Sequence, residues 1–187
     1  DLVVYDFRRN TNLAACLQYT LMTPNKQCPR CASPFNCSGG CSSTCWCAEL
    51  PLLSVNGRYD DCLCRDCLMS FATVINCIDG RFQVSVNEFV RQHFGVSFVD
   101  TITEAGPVGI LCKGLPRNVE HDVNISVDAH DSNQIAIVAH EGCAGNPASD
   151  DKQKSQCLEA AANLRVAFGG CEVIALWATL DGKVVEL

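Results

Sequence analysis

Two short stretches carry side chains that together suit a metal ion. One is C-I-D-G-R, Cys77 to Arg81, and the other is H-E-G-C, His140 to Cys143. Each follows an apolar run rich in β-branched residues, F-A-T-V-I before the first and I-A-I-V-A before the second, so each is expected at the end of a strand. Cys77, His140 and Cys143 form a ligand set that suits Zn2+, and three protein ligands rather than four leave a position for water, as catalytic zinc sites do. Cys143 lies three residues past His140 in a turn containing Gly142 and Gly145, so both side chains can reach one ion from a single loop.

The remaining cysteines have a different distribution. The 187-residue chain holds 15, of which ten fall between Cys16 and Cys67. An odd count with C-x-C and C-x-x-C spacings favours reduced, metal-holding thiols in a cytoplasmic setting over disulfides. Nine cysteines crowd the stretch from Cys28 to Cys67, enough for two tetrahedral four-cysteine zinc sites with one left over. Spacing alone leaves open which knuckle pairs with which. A module of roughly 40 residues has too small an apolar core to fold without such staples.

Charge and hydropathy exclude other classes. The net charge is −7 at pH 7, and the whole deficit lies after residue 76, so no basic face invites nucleic acid. No apolar run approaches the ~20 residues that cross a bilayer. The opening D-L-V-V-Y-D-F lacks the charged, apolar and small-residue regions of a signal peptide.

After Cys67 strand and helix signals alternate. Strands are expected over 71–76, 96–102, 135–139 and 172–177. A helix over 85–94 places Val86, Phe89, Val90 and Phe94 on one face, with Ser85 and Glu88 as a capping box. Leu115, Val119, Val123 and Val127 step by four along a second helix, and an alanine-rich helix over 151–168 contains Leu158, Ala161, Ala162 and Leu164. Asp181-Gly182 offers a tight turn into V-V-E-L. This alternation implies an α/β fold, a mostly parallel sheet flanked by helices, in which chemistry gathers at the carboxyl ends of the strands.

Two resemblances follow from these motifs. C-P-R-C-x-x-P-F-x-C, C-W-C-x-x-L-P and Y-D-x-C-L-C-x-x-C-L, over about Gln27 to Leu68, resemble the small bacterial cysteine-rich CWC family. That implies metal binding by Cys28, Cys31, Cys37, Cys45, Cys47, Cys62, Cys64 and Cys67, with Cys41 spare. C-x-D-x-R at one strand end with H-x-x-C at another resembles the β-class carbonic anhydrases, and is similar to their short bacterial relatives, over about Ser70 to Leu187. The resemblance implies a β-carbonic-anhydrase-like fold behind a small zinc-stapled module, divided as 1–26, 27–68 and 69–187. It implies catalytic zinc on Cys77, His140 and Cys143, an Asp79–Arg81 dyad, and zinc hydroxide attacking CO2 to give bicarbonate. In this scheme Asp79 accepts a hydrogen bond from the zinc-bound hydroxide and orients it, and Arg81 holds the carboxylate back from the metal. One catalytic and two structural zinc ions, a homodimer and no organic cofactor go with it. Hydrolysis of carbon disulfide or carbonyl sulfide by the same machinery, a catalytically inactive or sensory zinc scaffold, and a redox or metal-handling protein are the alternatives. T-I-T-E-A-G-P, Thr101 to Pro107, stands where the β-class enzymes often carry R-N-A-G-N.

Other residues read as structural. His93, His121 and His130 have no cysteine or carboxylate at ligand spacing and are expected on the surface. Cys112, Cys157 and Cys171 are expected as small buried hydrophobes, Trp177 in the core, and Trp46 as a shield for a metal site. Gln83, just past the dyad, either supplies an amide to the site or is a surface or capping residue.

Overall fold

The computed structural model describes residues 25–36 and 62–187, and the chain divides into two compact units, Asp1–Cys67 and Leu68–Leu187. Cys37, Cys41, Cys45, Trp46 and Cys47 lie outside the described residues.

In the first unit β1 (Asn25–Gln27) pairs antiparallel with β2 (Pro34–Asn36), Lys26 opposite Phe35. The turn between them carries C-P-R-C, closed by Cys28 N–H donating to Ser33 O at 2.9 Å and Ala32 N–H to Cys28 O at 2.8 Å. A short helix, α1 (Arg65–Leu68), brings Cys64 and Cys67 into a cluster with Cys28, flanked by Phe35 and Leu63. Among the described residues of this unit, thiols form the buried cluster.

The second unit is built on the sheet β4-β3-β5-β6-β7. Its strands are β3 (Phe71–Cys77), β4 (Phe98–Glu104), β5 (Gln134–His140), β6 (Glu172–Ala178) and β7 (Val184–Glu186). The first four are parallel, and β7 returns antiparallel to β6. Gly182, at φ 85°, makes the turn that Asp181-Gly182 signalled. β3, β5 and β6 are buried at every position but the first, as strands covered on both faces must be. The mostly parallel α/β sheet flanked by helices is the architecture expected from the alternation of signals.

Helices α2 (Gly80–Phe94), α3 (Pro107–Leu111), α4 (Arg117–His130) and α5 (Asp150–Ala167) complete the unit. Their placement follows from chirality. Right-handed crossovers that travel in opposite directions along a sheet must lie on opposite faces. The step from β3 to β4 runs one way, so α2 covers one face alone, packing Phe82, Val86, Val90 and Phe94 on Ala72, Val74, Ala136 and Val138. The steps from β4 to β5 and β5 to β6 run the other way. Accordingly α3, α4 and α5 share the second face, where Leu111, Val123 and Leu164 meet Ile75, Ile137 and Ala175. The direction reverses between β3 and β5, the crevice where open α/β sheets place their chemistry.

Several boundaries differ from expectation. α2 starts at Gly80 rather than Ser85, because Asp79 is the cap and accepts Arg81 N–H at 3.1 Å. Ser85 is interior, with its hydroxyl turned back onto Phe82 O at 3.3 Å. β4 begins at Phe98 rather than 96, and α3, entered through Gly106 and Pro107, was not anticipated. On α5 the inward face is Cys157, Ala160, Ala161 and Leu164, while Leu158 is exposed. Cys157 is buried as expected, its thiol near Ile137 O and Leu176 O; Cys112 and Cys171 are only half-buried.

His93 and His121 are exposed, but His130 is engaged as well as exposed. Its Nδ1 lies 2.7 Å from Asp100 Oδ2 and its ring stacks on Phe71 at 4.3 Å. Asp100 is supplied by β4, a neighbour that spacing along the chain does not show. The same carboxylate accepts from Ser126, which continues into a buried Thr73–Ser132 hydroxyl chain that is satisfied throughout. No helix among the described residues is long and apolar enough to cross a membrane.

Leu164 is fully buried and Val166, two residues on, is 87% exposed. Leu164→Ala is expected to cost about 2–5 kcal/mol in urea unfolding, and Val166→Ala less than about 0.5 kcal/mol. Equal losses would place the core on the wrong face of α5.

Candidate metal centre

β3 ends on Cys77 and β5, its neighbour in the sheet, ends on His140. The chain then turns through Gly142, at φ 64°, and returns Cys143 toward both. The ligand atoms of Cys77, His140 and Cys143 lie within 4.8 Å of one another, with the two sulfurs 3.9 Å apart, and all three residues are buried. Burial pushes the Cys143 thiol up and the neighbouring Cys77 adds to it, while backbone N–H groups of Gly145 and Asn146 pull it down. Two thiolates this close need a cation between them, and metal binding supplies the drive to release their protons.

The histidine makes the test of fit definite. Its Nδ1 lies 2.9 Å from Glu141 O, a carbonyl that can only accept, so Nδ1 carries the proton. Nε2 is then left with a lone pair, is buried, and has no hydrogen-bond partner. A buried acceptor without a partner beside two thiols is what a zinc-ligating imidazole offers once its other nitrogen is fixed by a carbonyl. Phe82 covers the imidazole, the ring centroids 4.1 Å apart. Glu141 is tied to β6 by its N–H on Ala178 O at 3.0 Å.

Cys77 is held at both backbone groups by side-chain amides. Its N–H donates to Asn76 Oδ1 at 2.8 Å, and its carbonyl accepts from Gln83 Nε2. Gln83 thus turns its amide onto the backbone of a ligand residue, while the cap of α2 is Asp79. Asp79, the cap of α2, lies next along the chain. Arg81 grips its carboxylate in a bidentate pair, Nε to Oδ1 at 3.0 Å and Nη2 to Oδ2 at 2.6 Å. That hydrogen-bonded guanidinium holds the Asp79 carboxyl at about 2 against an ordinary 3.8, although burial acts the other way. Asp79 is not part of the three-residue ligand cluster. Its oxygens are turned onto arginine instead.

Glycines lock the loop that carries Cys143. A Cβ on Gly145 would meet the Ala105 backbone at 2.6 Å, and one on Gly106, at φ 64°, would meet Gly145 at 2.5 Å. The E-A-G-P stretch therefore lies backbone to backbone against the cysteine loop. Asn146 completes the lock by donating to Gln156 Oε1 at 2.8 Å. Asn76, Phe82 and Gly106 were not assigned to the centre from sequence, and Gly145 was read as part of the cysteine turn without its contact to Gly106. Phe82 and Asn76 adjoin motif residues, whereas the glycine contact joins segments far apart along the chain.

In the cysteine-rich unit, Cys28, Cys31, Cys64 and Cys67 bring their sulfurs within 4.8 Å of one another. This resolves the pairing that spacing left open: C-P-R-C joins C-R-D-C. Burial pushes the Cys28 thiol up, but N–H groups of Cys64, Cys31 and Arg30 outweigh it and bring it down to about 6. Cys62 is exposed and outside this quartet. None of the ten described cysteines forms a disulfide.

Residues 68–187 match the family model described as "Putative carbonic anhydrase". The chain belongs to that family. Residues 28–69 match the model described as cysteine-rich CWC. Among solved structures, a carbonic anhydrase from Streptococcus mutans is similar at 16% identity, covering 63% of this chain and 83% of its own, with a TM-score of 0.46. A β-carbonic anhydrase from Trichomonas vaginalis is similar at 19% identity over 67% and 86%, TM-score 0.40. The apo form of a carbon disulfide hydrolase is similar at 11% over 61% and 76%, TM-score 0.44. No curated protein matches the chain significantly.

Arg81 has a measurable signature. The Asp79 carboxyl is depressed on folding, so its ionised form adds stability that is complete above about pH 4 and is lost as pH falls toward 2. Arg81→Gln removes the main cause, and the carboxyl 13C titration of Asp79 is expected to move up toward 4. A titration that stays at about 2 in the variant would assign the depression to another group.

Proposed function

We propose that residues 69–187 form a zinc-dependent carbonic anhydrase that interconverts CO2 and bicarbonate, preceded by a cysteine-rich zinc module over 27–68 and an extension over 1–26. The observation that carries this reading is the bidentate Arg81–Asp79 pair beside a cluster of three buried ligands rather than four. Cys77, Cys143 and His140 Nε2 would hold the metal. Zinc so held supplies a Lewis acid that brings the ionisation of water near neutrality.

The chain's own residues do the rest. Two thiolates donate more charge than two imidazoles would, which weakens the pull on water and makes orientation by the protein more important. Asp79, with its carboxyl held well below the usual range, accepts a hydrogen bond from the attacking oxygen without taking its proton, and so aims that oxygen at the carbon of CO2. Arg81 occupies both carboxylate oxygens and keeps Asp79 from swinging toward the ligand cluster as a fourth ligand. Phe82, under the Arg81 guanidinium at 5.5 Å and over His140, couples the dyad to the ligand frame. One zinc on Cys28, Cys31, Cys64 and Cys67, and a second held through the remaining module cysteines, would staple the first unit. Ile78 and Val84, both exposed beside the dyad, favour a homodimer.

Stopped-flow CO2 hydration tests this. Asp79→Ala is expected to keep its zinc and lose about 100-fold or more in kcat. Wild-type protein no faster than that variant would defeat the enzyme reading, and carbon disulfide turnover without CO2 turnover would move the substrate. Metal analysis and sedimentation of the same protein should return three zinc ions per chain and a dimeric mass.

A further inference from the structure

Among the described residues three buried side-chain atoms lack a hydrogen-bond partner: Asn76 Nδ2, His140 Nε2 and Gln153 Oε1. All three belong to segments at the carboxyl end of the sheet. Asn76 is the last residue but one of β3, His140 ends β5, and Gln153 lies in the first turn of α5 just beyond the Cys143 loop. The metal answers the need of His140. It cannot answer that of Asn76, because an amide N–H needs an acceptor and repels a cation.

The orientation of the Asn76 amide is settled by its other end. Cys77 N–H donates to it at 2.8 Å, so the atom there is the oxygen, and the NH2 group faces the other way. Asn76 is fully buried. A buried donor left unmet costs about 1–3 kcal/mol, a large loss to carry without return. By alternation along the strands Asn76 shares the face of Ala72 and Val74, and His140 shares that of Ala136 and Val138, which is the face under α2. Apart from His140, whose lone pair is the one suited to the metal, the side chains of that face are apolar, so no side-chain acceptor among the described residues meets the Asn76 donor.

Other side-chain donors near the centre already have a partner, although Arg81 keeps its Nη1 N–H groups to spare at the exposed end of the side chain. The Arg81 guanidinium grips Asp79, the Gln83 amide is turned onto the Cys77 carbonyl, and His140 Nδ1–H is on Glu141 O. Both Asp79 carboxylate oxygens are turned onto Arg81. Asn76 Nδ2 is the buried donor without any partner, and an oxyanion at the centre supplies the acceptor that it lacks.

We propose that Asn76 is a substrate-binding residue whose Nδ2–H donates to an oxygen of bicarbonate at the centre. This rests on the carbonic anhydrase reading and refines it. The same donor discriminates among substrates, because oxygen accepts a hydrogen bond well and the sulfur of carbon disulfide accepts one poorly. The site is accordingly matched to CO2 and bicarbonate over carbon disulfide, whose only terminal atoms are sulfur.

The test uses the full chain loaded with cobalt in place of zinc, titrated with bicarbonate and followed by the visible cobalt bands. Asn76→Leu keeps the volume and removes the N–H; Asn76→Ala guards against a packing effect of leucine. Both variants are expected to retain the cobalt that responds in wild type and to need about tenfold more bicarbonate or higher for half the spectral change. Unchanged bicarbonate affinity in a cobalt-loaded variant overturns the proposal and leaves the carbonic anhydrase reading intact. Loss of that cobalt from both variants also overturns it, since Asn76 would then support the ligand frame. A cobalt-loaded wild type blind to bicarbonate would overturn both the proposal and the reading beneath it.

Discussion

The pairing of β3 with β5 is the contact on which the metal centre depends. Thr73, Val74 and Ile75 lie in register with Ile135, Ala136 and Ile137, and each strand then runs on to a ligand, Cys77 in one and His140 in the other. The intervening chain, residues 78–133 with β4 and three helices, is looped out to make that contact. The gain that offsets such closure is burial. Both strands are covered on both faces, and the residues that cover them differ because the crossovers reverse direction between these two strands.

The same burial sets the chemistry of the centre. Thiols, an imidazole and an amide placed where water is excluded are costly unless each finds a partner. The protein supplies some of these partners itself: Glu141 O for one imidazole nitrogen, Cys77 N–H for the Asn76 oxygen, and the N–H groups of Gly145 and Asn146 for the Cys143 sulfur. What remains unmet is a lone pair and two close sulfurs, which suit a cation, and an amide donor, which suits an oxygen. At the surface nearby, Asp79 and Arg81 satisfy one another, so the carboxylate stays charged while remaining outside the ligand cluster.

Among the described residues of the cysteine-rich unit, thiols take the place of a hydrophobic core. A two-stranded hairpin and a helix of one turn bury little more than Cys28, Cys64 and Cys67. A metal held by Cys28, Cys31, Cys64 and Cys67 would supply stability that packing among these described residues does not. The two cysteine populations thus differ in kind: in one the thiols form the core, and in the other an ordinary α/β core positions two of them.

Composition and local pattern determined a good deal. The strands that end on Cys77 and His140, and the α/β class, were legible because strand runs and turn glycines act over a few residues. So was the association of Asp79 with Arg81, two positions apart at a helix start. The start of α2 was misplaced because Ser85 and Glu88 mimic a cap, while the true one, Asp79, is followed by residues whose helicity depends on Phe82 packing under the sheet. Only tertiary structure decided that C-P-R-C joins C-R-D-C, that Gly106 lies against Gly145, that His130 meets Asp100, and that Asn76 is left with an unmet amide donor. Each of these joins segments far apart in the chain or depends on which atoms the fold seals from water, and neither is encoded in the spacing of neighbouring residues.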